Sequence, residues 1–275
     1  MTINVRALPL ADGTSIPQLG LGVWQMSNEE ADAAVRAAAA AGYTLIDTAA
    51  GYENEGAVGK ALADLGPDRF YVTTKLRNAD QGYDEALRAF DHSMAELGID
   101  VLDLYLIHWP SPAREKYVDS WRALTRLKEE GRVRSIGVSN FQEAHLERIV
   151  AETGTAPVVN QIELHPLLQQ RALREYHSAN NIATQAWSPL GSGAAGVLQN
   201  PALEELATRK GCTVAQAVLA WHLAIGNIVI PKSVTPSRIA ENIGATGITL
   251  DESDLGVIES LDDGTRFGPH PDDFN

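Results

Sequence analysis

Four side chains in the first 110 residues have the types and spacing to move a proton. Asp47 stands where the apolar run Thr44-Leu45-Ile46 stops, and Tyr52 follows five residues later, past a Thr-Ala-Ala-Gly turn. Lys75 closes a short apolar run at 71–74, and His108 closes another at 102–107. A free phenol has a pKa of about 10 and is a poor acid at neutral pH. A nearby ammonium favours the phenolate and lowers that value, while a carboxylate holds the ammonium in place. Tyr52 beside Lys75 and Asp47 is therefore a candidate general acid, a role worth roughly 10²–10⁴ in rate. Taken singly, each residue has an ordinary reading. A strand-end Asp caps a helix, a Tyr buries its ring, a strand-end Lys is solvated, and His108 before Trp109-Pro110 can be a satisfied core histidine. The chemistry needs all four to converge.

Convergence depends on the elements that carry them. Residues 5–19 read as two short strands around Asp12-Gly13, a hairpin signal. From there the chain repeats one rhythm: an apolar run, a polar loop, an amphipathic helix and a Gly or Pro break. The runs at 19–22, 44–46, 71–74, 102–107, 135–138, 158–162, 184–187 and 228–230 read as eight strands. Ser27 with Glu30 is a capping box that opens a helix through Ala41, ended by Gly42. A second helix runs from 53 to about 65. Ala86, Phe90, Met94 and Leu97 share one face of a helix at 84–97, and Val118, Trp121, Leu124 and Leu127 stripe the next, closed by Gly131. A long helical segment around 213–224 separates the last two strands.

Eight strand–helix units without a linker-like break predict a single α/β domain over residues 1–275, a (β/α)₈ TIM barrel with an N-terminal β-hairpin. A doubly wound sheet shares the same alternation. Against it, no GxGxxG follows an early strand, because Gly20-Leu21-Gly22-Val23 runs into Trp24 and Gln25. Polar residues also recur at the C-terminal ends of the second to eighth strands. In a barrel those ends meet at one mouth, and Asp47, Tyr52, Lys75 and His108 then face one another.

Composition narrows the function classes. The chain of 275 residues is 44% hydrophobic and 21% charged, enough to bury a sizeable core. A formal net charge of -14 opposes a general nucleic-acid or anionic-membrane binder, although a local basic pocket is compatible with it. Cys212 is the only cysteine and reads as a small packed hydrophobe. The start, MTINVRALPLADG, has no basic segment leading into an apolar one, and no apolar stretch of ~18 residues occurs. The expectation is a cytoplasmic monomer with no nucleic-acid or membrane partner and no metal.

The motifs GYTLIDTAAGYENEGAVG, TTKL, LYLIHWP, SIGVSNF, NQIELHP, WSPLGSG and IPKSV follow in order along nearly the whole chain. With them the sequence resembles the aldo-keto reductase superfamily, and RFGPHPDDF near the end looks most like its bacterial 2,5-diketo-D-gluconate reductase branch. The resemblance implies an NADP-dependent oxidoreductase acting on CH–OH groups, which uses NADPH to reduce aldehydes and ketones to alcohols. Keto-acids and keto-sugars such as 2,5-diketo-D-gluconate are among the implied substrates. It implies Tyr52 as proton donor, Lys75 and Asp47 as its tuners, and His108 as the group that orients the substrate carbonyl. Ser139, Asn140 and Gln161 match positions that hydrogen-bond the nicotinamide carboxamide, and Trp187 the ring that stacks on the nicotinamide. Ser188, Leu190, Gly191 and Ser192 match the loop over the pyrophosphate. Lys232, Ser233, Val234 and Arg238 match a 2′-phosphate clamp, and Glu241 and Asn242 the adenine contacts. Two cations suited to phosphate favour NADPH over NADH.

Trp24 and Trp109 match pocket-lining aromatics. At Arg77 the sequence departs from the family, which commonly has an aromatic there. Either Arg77 offers a cation to acidic substrates, or it swings into solvent and widens the site. Two other functions fit less well: a cofactor-sensing barrel without catalysis has no reason to hold the polar tetrad, and a metal-dependent hydrolase needs more ligands than His108 and His165.

Overall fold

The computed structural model describes residues 5–193 and 196–275. Residues 1–4, which the leader reading and the 1–275 domain bounds include, and 194–195 lie outside the described residues. Strands β1 (Ala7–Pro9) and β2 (Ser15–Pro17) form the expected antiparallel hairpin, with Leu8 opposite Ile16. Eight parallel strands follow: β3 (Leu21–Gly22), β4 (Leu45–Asp47), β5 (Tyr71–Leu76), β6 (Leu102–Ile107), β7 (Val133–Ser139), β8 (Val159–Glu163), β9 (Ala183–Trp187) and β10 (Ile228–Val229). They neighbour one another in chain order. The ring is closed from Gly20 N to Val229 O (2.8 Å) and from Val229 N to Gln18 O (2.9 Å).

The helices lie between successive strands: α1 (Asn28–Ala41), α2 (Glu55–Leu65), α3 (Tyr83–Leu97), α4 (Tyr117–Glu129), α5 (Glu143–Thr153) and α6 (Arg171–Ala179). Two helices, α7 (Pro201–Lys210) and α8 (Val214–Ala224), fill the next connection; α8 is the helix expected around 213–224, and α7 is an additional one. Gly211 in the left-handed region ends the first, and the Thr213 capping box starts the second. Helices α9 (Pro236–Ile243) and α10 (Glu252–Glu259) follow β10. The start of α1 is as expected: Ser27 Oγ accepts from Glu30 N at 3.2 Å, and Glu30 Oε2 accepts from Ser27 N at 2.9 Å. Such a cap stabilises by about 1 kcal/mol. Gly42 ends the helix at φ 100°, a conformation costly for a residue with a Cβ.

Strand alternation sorts the core into two layers. Ile46, Val72, Tyr105, Ile107, Ile136, Val138, Ile162 and Val229 face outward and pack with the helices. Leu45, Leu104, Leu106, Val159, Ile228 and Ile230 fill the interior, where Leu10 and Ile16 of the hairpin segment join them. The hairpin is therefore a plug in the barrel floor. Asp12 in its turn accepts from Lys128 Nζ (2.6 Å), Ser135 Oγ (2.9 Å) and Thr14 Oγ1 (2.7 Å), tying the plug to α4 and β7.

Candidate active site

The same alternation decides which strand-end groups face the mouth. Leu45 points inward and Ile46 outward, so Asp47 points inward one layer nearer the mouth. The steps from Tyr71 through Thr73 to Lys75, and from Val159 through Gln161 to Glu163, do the same on β5 and β8. Lys75 is fully buried, and its three ammonium donors have three acceptors: Asp47 Oδ1 at 2.5 Å, Thr48 O at 2.9 Å and Tyr52 Oη at 3.4 Å. The other oxygen of Asp47 accepts from Gln161 Nε2 at 2.7 Å. Tyr52 comes from the single 3₁₀ turn Ala50–Tyr52 that follows β4. Just beyond it, Asn54 pins the loop, accepting from Thr48 Oγ1 at 2.9 Å and donating to Val23 O at 3.0 Å. The Tyr52 ring meets His108 edge-on, with centroids 5.7 Å apart.

Burial and charge set the protonation states. Burial alone would lower the Lys75 pKa, but Asp47 and Tyr52 outweigh it and raise the value, so the ammonium persists. Burial also pushes the Tyr52 phenol up, by more than Lys75 draws it down. Lys75 lowers this pKa as expected, but exclusion of water, with the Asp47 charge adding to it, outweighs the ammonium. Tyr52 is accordingly a neutral O–H, the form a proton donor must have. Burial, and then the Lys75 charge, push His108 down to about 3. It is a neutral imidazole that can hydrogen-bond an oxygen without competing to protonate it.

Beside the tetrad lies a row of amides. Asn140 turns the chain after β7 at φ 63°, a left-handed conformation that Asn tolerates. Its Nδ2 donates to His108 O at 3.0 Å, and its Oδ1 accepts from Trp187 Nε1 at 2.7 Å. Ser139 Oγ donates to Gln161 O at 2.8 Å. Above these groups opens a cavity of about 1000 Å³ lined by Trp24, Arg77, Trp109 and Trp187 and by Lys232, Arg238 and Asn242. A neutral phenol wired to a buried ammonium, at the floor of a long cleft with an aromatic wall and cations, can protonate an oxygen and hold an extended anionic ligand.

Residues 16–263 match the aldo/keto reductase family. The chain belongs to that family. An aldo-keto reductase of Mycobacterium sp. (strain KMS) is 54% identical over 97% of this chain and 96% of its own length. Methylglyoxal reductase DkgA of Salmonella typhimurium is 51% identical over 98% of each. Among solved structures, a mutant of Gox0644 in complex with NADPH superposes with a TM-score of 0.95 at 50% identity, covering 99% of both chains. An aldo-keto reductase of Bombyx mori in complex with NADP gives 0.92 at 32% identity, covering 99% of this chain and 98% of its own.

In this aldo/keto reductase most residues expected from the sequence border this cavity. Asp47, Tyr52 and His108 do, as do Ser139, Asn140, Gln161, Trp187, Ser188, Leu190, Ser192, Lys232, Ser233, Arg238, Glu241 and Asn242, together with Trp24, Arg77 and Trp109. Lys75 lies beneath the surface and reaches Tyr52 from below. Gly191 is buried, at φ 72°, and Val234 is exposed, and neither borders the cavity. The Glu241 carboxylate accepts from Thr213 Oγ1 at 2.7 Å, so it braces α9 against α8. The Arg77 stem passes beside Gly51, its Nε donates to Asp80 Oδ2 at 2.8 Å, and its side chain borders the cavity while staying partly exposed. His165 is buried with its Nε2 3.2 Å from Glu163 Oε1. Sequence reasoning missed Phe267, Gly268, Pro269 and Phe274, which wall the cavity from a segment with no regular structure. Phe274 packs on Trp109 with centroids 4.6 Å apart.

Proposed function

We propose that this protein is an NADP-dependent oxidoreductase that reduces aldehydes and ketones to alcohols, with Tyr52 as the proton donor. The observation that carries the reading is the Lys75 ammonium held between Asp47 and Tyr52 at the cavity floor. The donor set fits NADPH, which the Gox0644 mutant holds: carboxamide partners at Ser139, Asn140 and Gln161, an aromatic wall at Trp187, and two phosphate-suited cations at Lys232 and Arg238. The small loop residues Ser188, Leu190, Gly191 and Ser192 would meet the pyrophosphate. Ser233 and Val234 would complete the clamp, and Glu241 and Asn242 the adenine end.

When bound at these residues, NADPH would supply the hydride for the carbonyl carbon. The chain's own groups act on the carbonyl oxygen. Tyr52 and His108 donate hydrogen bonds to it and stabilise the charge that develops there. The Tyr52 proton passes to that oxygen, and the Lys75 ammonium stabilises the phenolate left behind. Asp47 keeps Lys75 charged and in place. Trp24, Trp109 and Arg77 would line the substrate end. Fixed by Asp80, the Arg77 guanidinium supports small carbonyl substrates that carry an acid or polar group, keto-acids and keto-sugars among them. The DkgA relatives, named methylglyoxal reductases, support small polar carbonyls in general.

We further read residues 1–275 as one domain working as a cytoplasmic monomer, which size-exclusion chromatography with light scattering would check for assembly. No helix among the described residues is long and apolar enough to cross a membrane. The test of the reaction is Tyr52→Phe. Turnover of an aldehyde with NADPH should fall by roughly 10²–10⁴, while NADPH binding, followed by fluorescence titration, stays intact. Near-normal turnover would remove Tyr52 as the acid.

A further inference from the structure

Glu163 ends β8 fully buried, directly opposite Trp187 of β9 in the strand register. Its two carboxylate oxygens take two successive backbone amides from the segment that walls the cavity. Phe267 N donates to Oε1 at 2.7 Å, and Gly268 N to Oε2 at 3.1 Å. Arg266 Nη1 reaches Oε2 at 3.4 Å, and His165 Nε2 lies 3.2 Å from Oε1. A carboxylate removed from water is costly unless its oxygens are occupied in this way, and charge-assisted bonds to backbone N–H are among the stronger ones. Glu163 therefore binds a segment a hundred residues further along the chain, and does so beside the aromatic wall of the cleft.

Gly268 is the point of contact with that wall. A Cβ at this position would stand 2.5 Å from Cη2 of Trp187 and 3.2 Å from Oε2 of Glu163. Only a residue without a side chain fits between carboxylate and indole. The nitrogen on the same edge of the indole donates to Asn140 Oδ1 at 2.7 Å, and Asn140 in turn holds the backbone oxygen of His108 at 3.0 Å. Trp109 stands across from the ring, with centroids 6.4 Å apart.

We propose that Glu163 and Gly268 are positioning residues that set the Trp187 ring against which the nicotinamide end of the cofactor rests. The inference builds on the cofactor site described under Proposed function. Glu163 holds the 267–268 amides, those amides place the Gly268 backbone against the Cζ2–Cη2 edge, and the Asn140 bond stops the ring from turning away. Loosening either residue lets the ring leave the plane that the cofactor needs. The effect falls on cofactor affinity rather than on proton transfer, because neither residue touches the tetrad.

The test is a double-mutant cycle on NADPH binding, read by fluorescence titration of the full chain without substrate. Gly268→Ala and Glu163→Gln should each weaken NADPH about tenfold in the wild-type background. Both should change nothing further in a Trp187→Ala background, because their route to the cofactor is then gone. Equal weakening in both backgrounds, or none in the wild type, overturns the proposal. Should Glu163→Gln fail to fold, Gly268→Ala alone completes the cycle. If Trp187→Ala itself leaves NADPH affinity unchanged, the cofactor reading has failed, and the inference falls with it. If Trp187→Ala weakens binding while Gly268→Ala does not, the positioning role alone is refuted.

Discussion

At the scale of single residues, Lys75 is the group on which the site depends most. It is a fully buried charge whose main compensation is Asp47. Replacing it strands a buried carboxylate, so Lys75→Met should destabilise the fold by about 3–5 kcal/mol as well as stop turnover. Urea unfolding checks this, and Lys75→Met with Asp47→Asn should recover part of the loss, since the second change removes the uncompensated charge. Arg77 poses a separate question, because its Nε is already paired with Asp80 while its side chain borders the cavity. If its guanidinium reads substrate charge, the preference in kcat/KM for a keto-acid over the matching amide should fall in Arg77→Ala. An unchanged ratio assigns Arg77 to shaping the wall. The types and spacing of the tetrad were legible because each member follows its strand within a few residues. The protonation state of Tyr52 was not, because burial is a property of everything packed around it.

At the scale of elements, the hairpin plug carries its own electrostatic tie. Burial raises the Asp12 pKa, but Lys128, Thr14 and Ser135 outweigh it and hold the carboxyl below its usual value. A depressed carboxylate contributes stability above its unfolded pKa of about 3.9, and that contribution is lost as pH falls through the folded value. Asp12→Asn should therefore lower stability by about 1–3 kcal/mol near neutral pH, and by progressively less as pH falls below about 3.9, as urea midpoints across that range would show. The hairpin itself could be read from Asp12-Gly13, yet nothing local says that it closes the barrel floor. Lys128 and Ser135 lie more than a hundred residues away, and only the closed ring brings them to Asp12. The helix around 213–224 could be read from its own apolar run and is α8, whereas α7 before it, started by the Asn200 cap and ended at Gly211, was not read.

At the scale of the whole molecule, three histidines with depressed pKa values give stability a second pH window. Burial holds His177 at about 4, and His108 and His222 at about 3, while each titrates near 6.5 when unfolded. The unfolded chain therefore binds more protons between those values, so stability is full above about pH 6.5 and is lost as pH falls toward 4. Unfolding midpoints at pH 7, 6, 5 and 4 should decline steadily. His177→Gln should flatten the decline, since His177 sits between Asn160 and Thr184 at 2.9 Å from each. This window lies above the one set by Asp12, so the two can be separated in one titration series.

The sequence by itself determined the repeating strand–helix units, the capped start of α1, and the groups standing at strand ends. These rest on short-range chemistry: alternation, periodicity, and caps that reach three residues. It also carried the family resemblance, because the motifs are continuous stretches. The tertiary structure decided what those groups become. Closing the ring buried Lys75 between Asp47 and Tyr52, kept the phenol neutral, and turned Arg77 onto the cavity wall beside Asp80. It also brought segment 266–268 onto Glu163 and against Trp187, a contact across more than a hundred residues that no local pattern announces. Two amide bonds to one buried carboxylate fix that approach, and a buried carboxylate finds its partners only once the chain has folded around it.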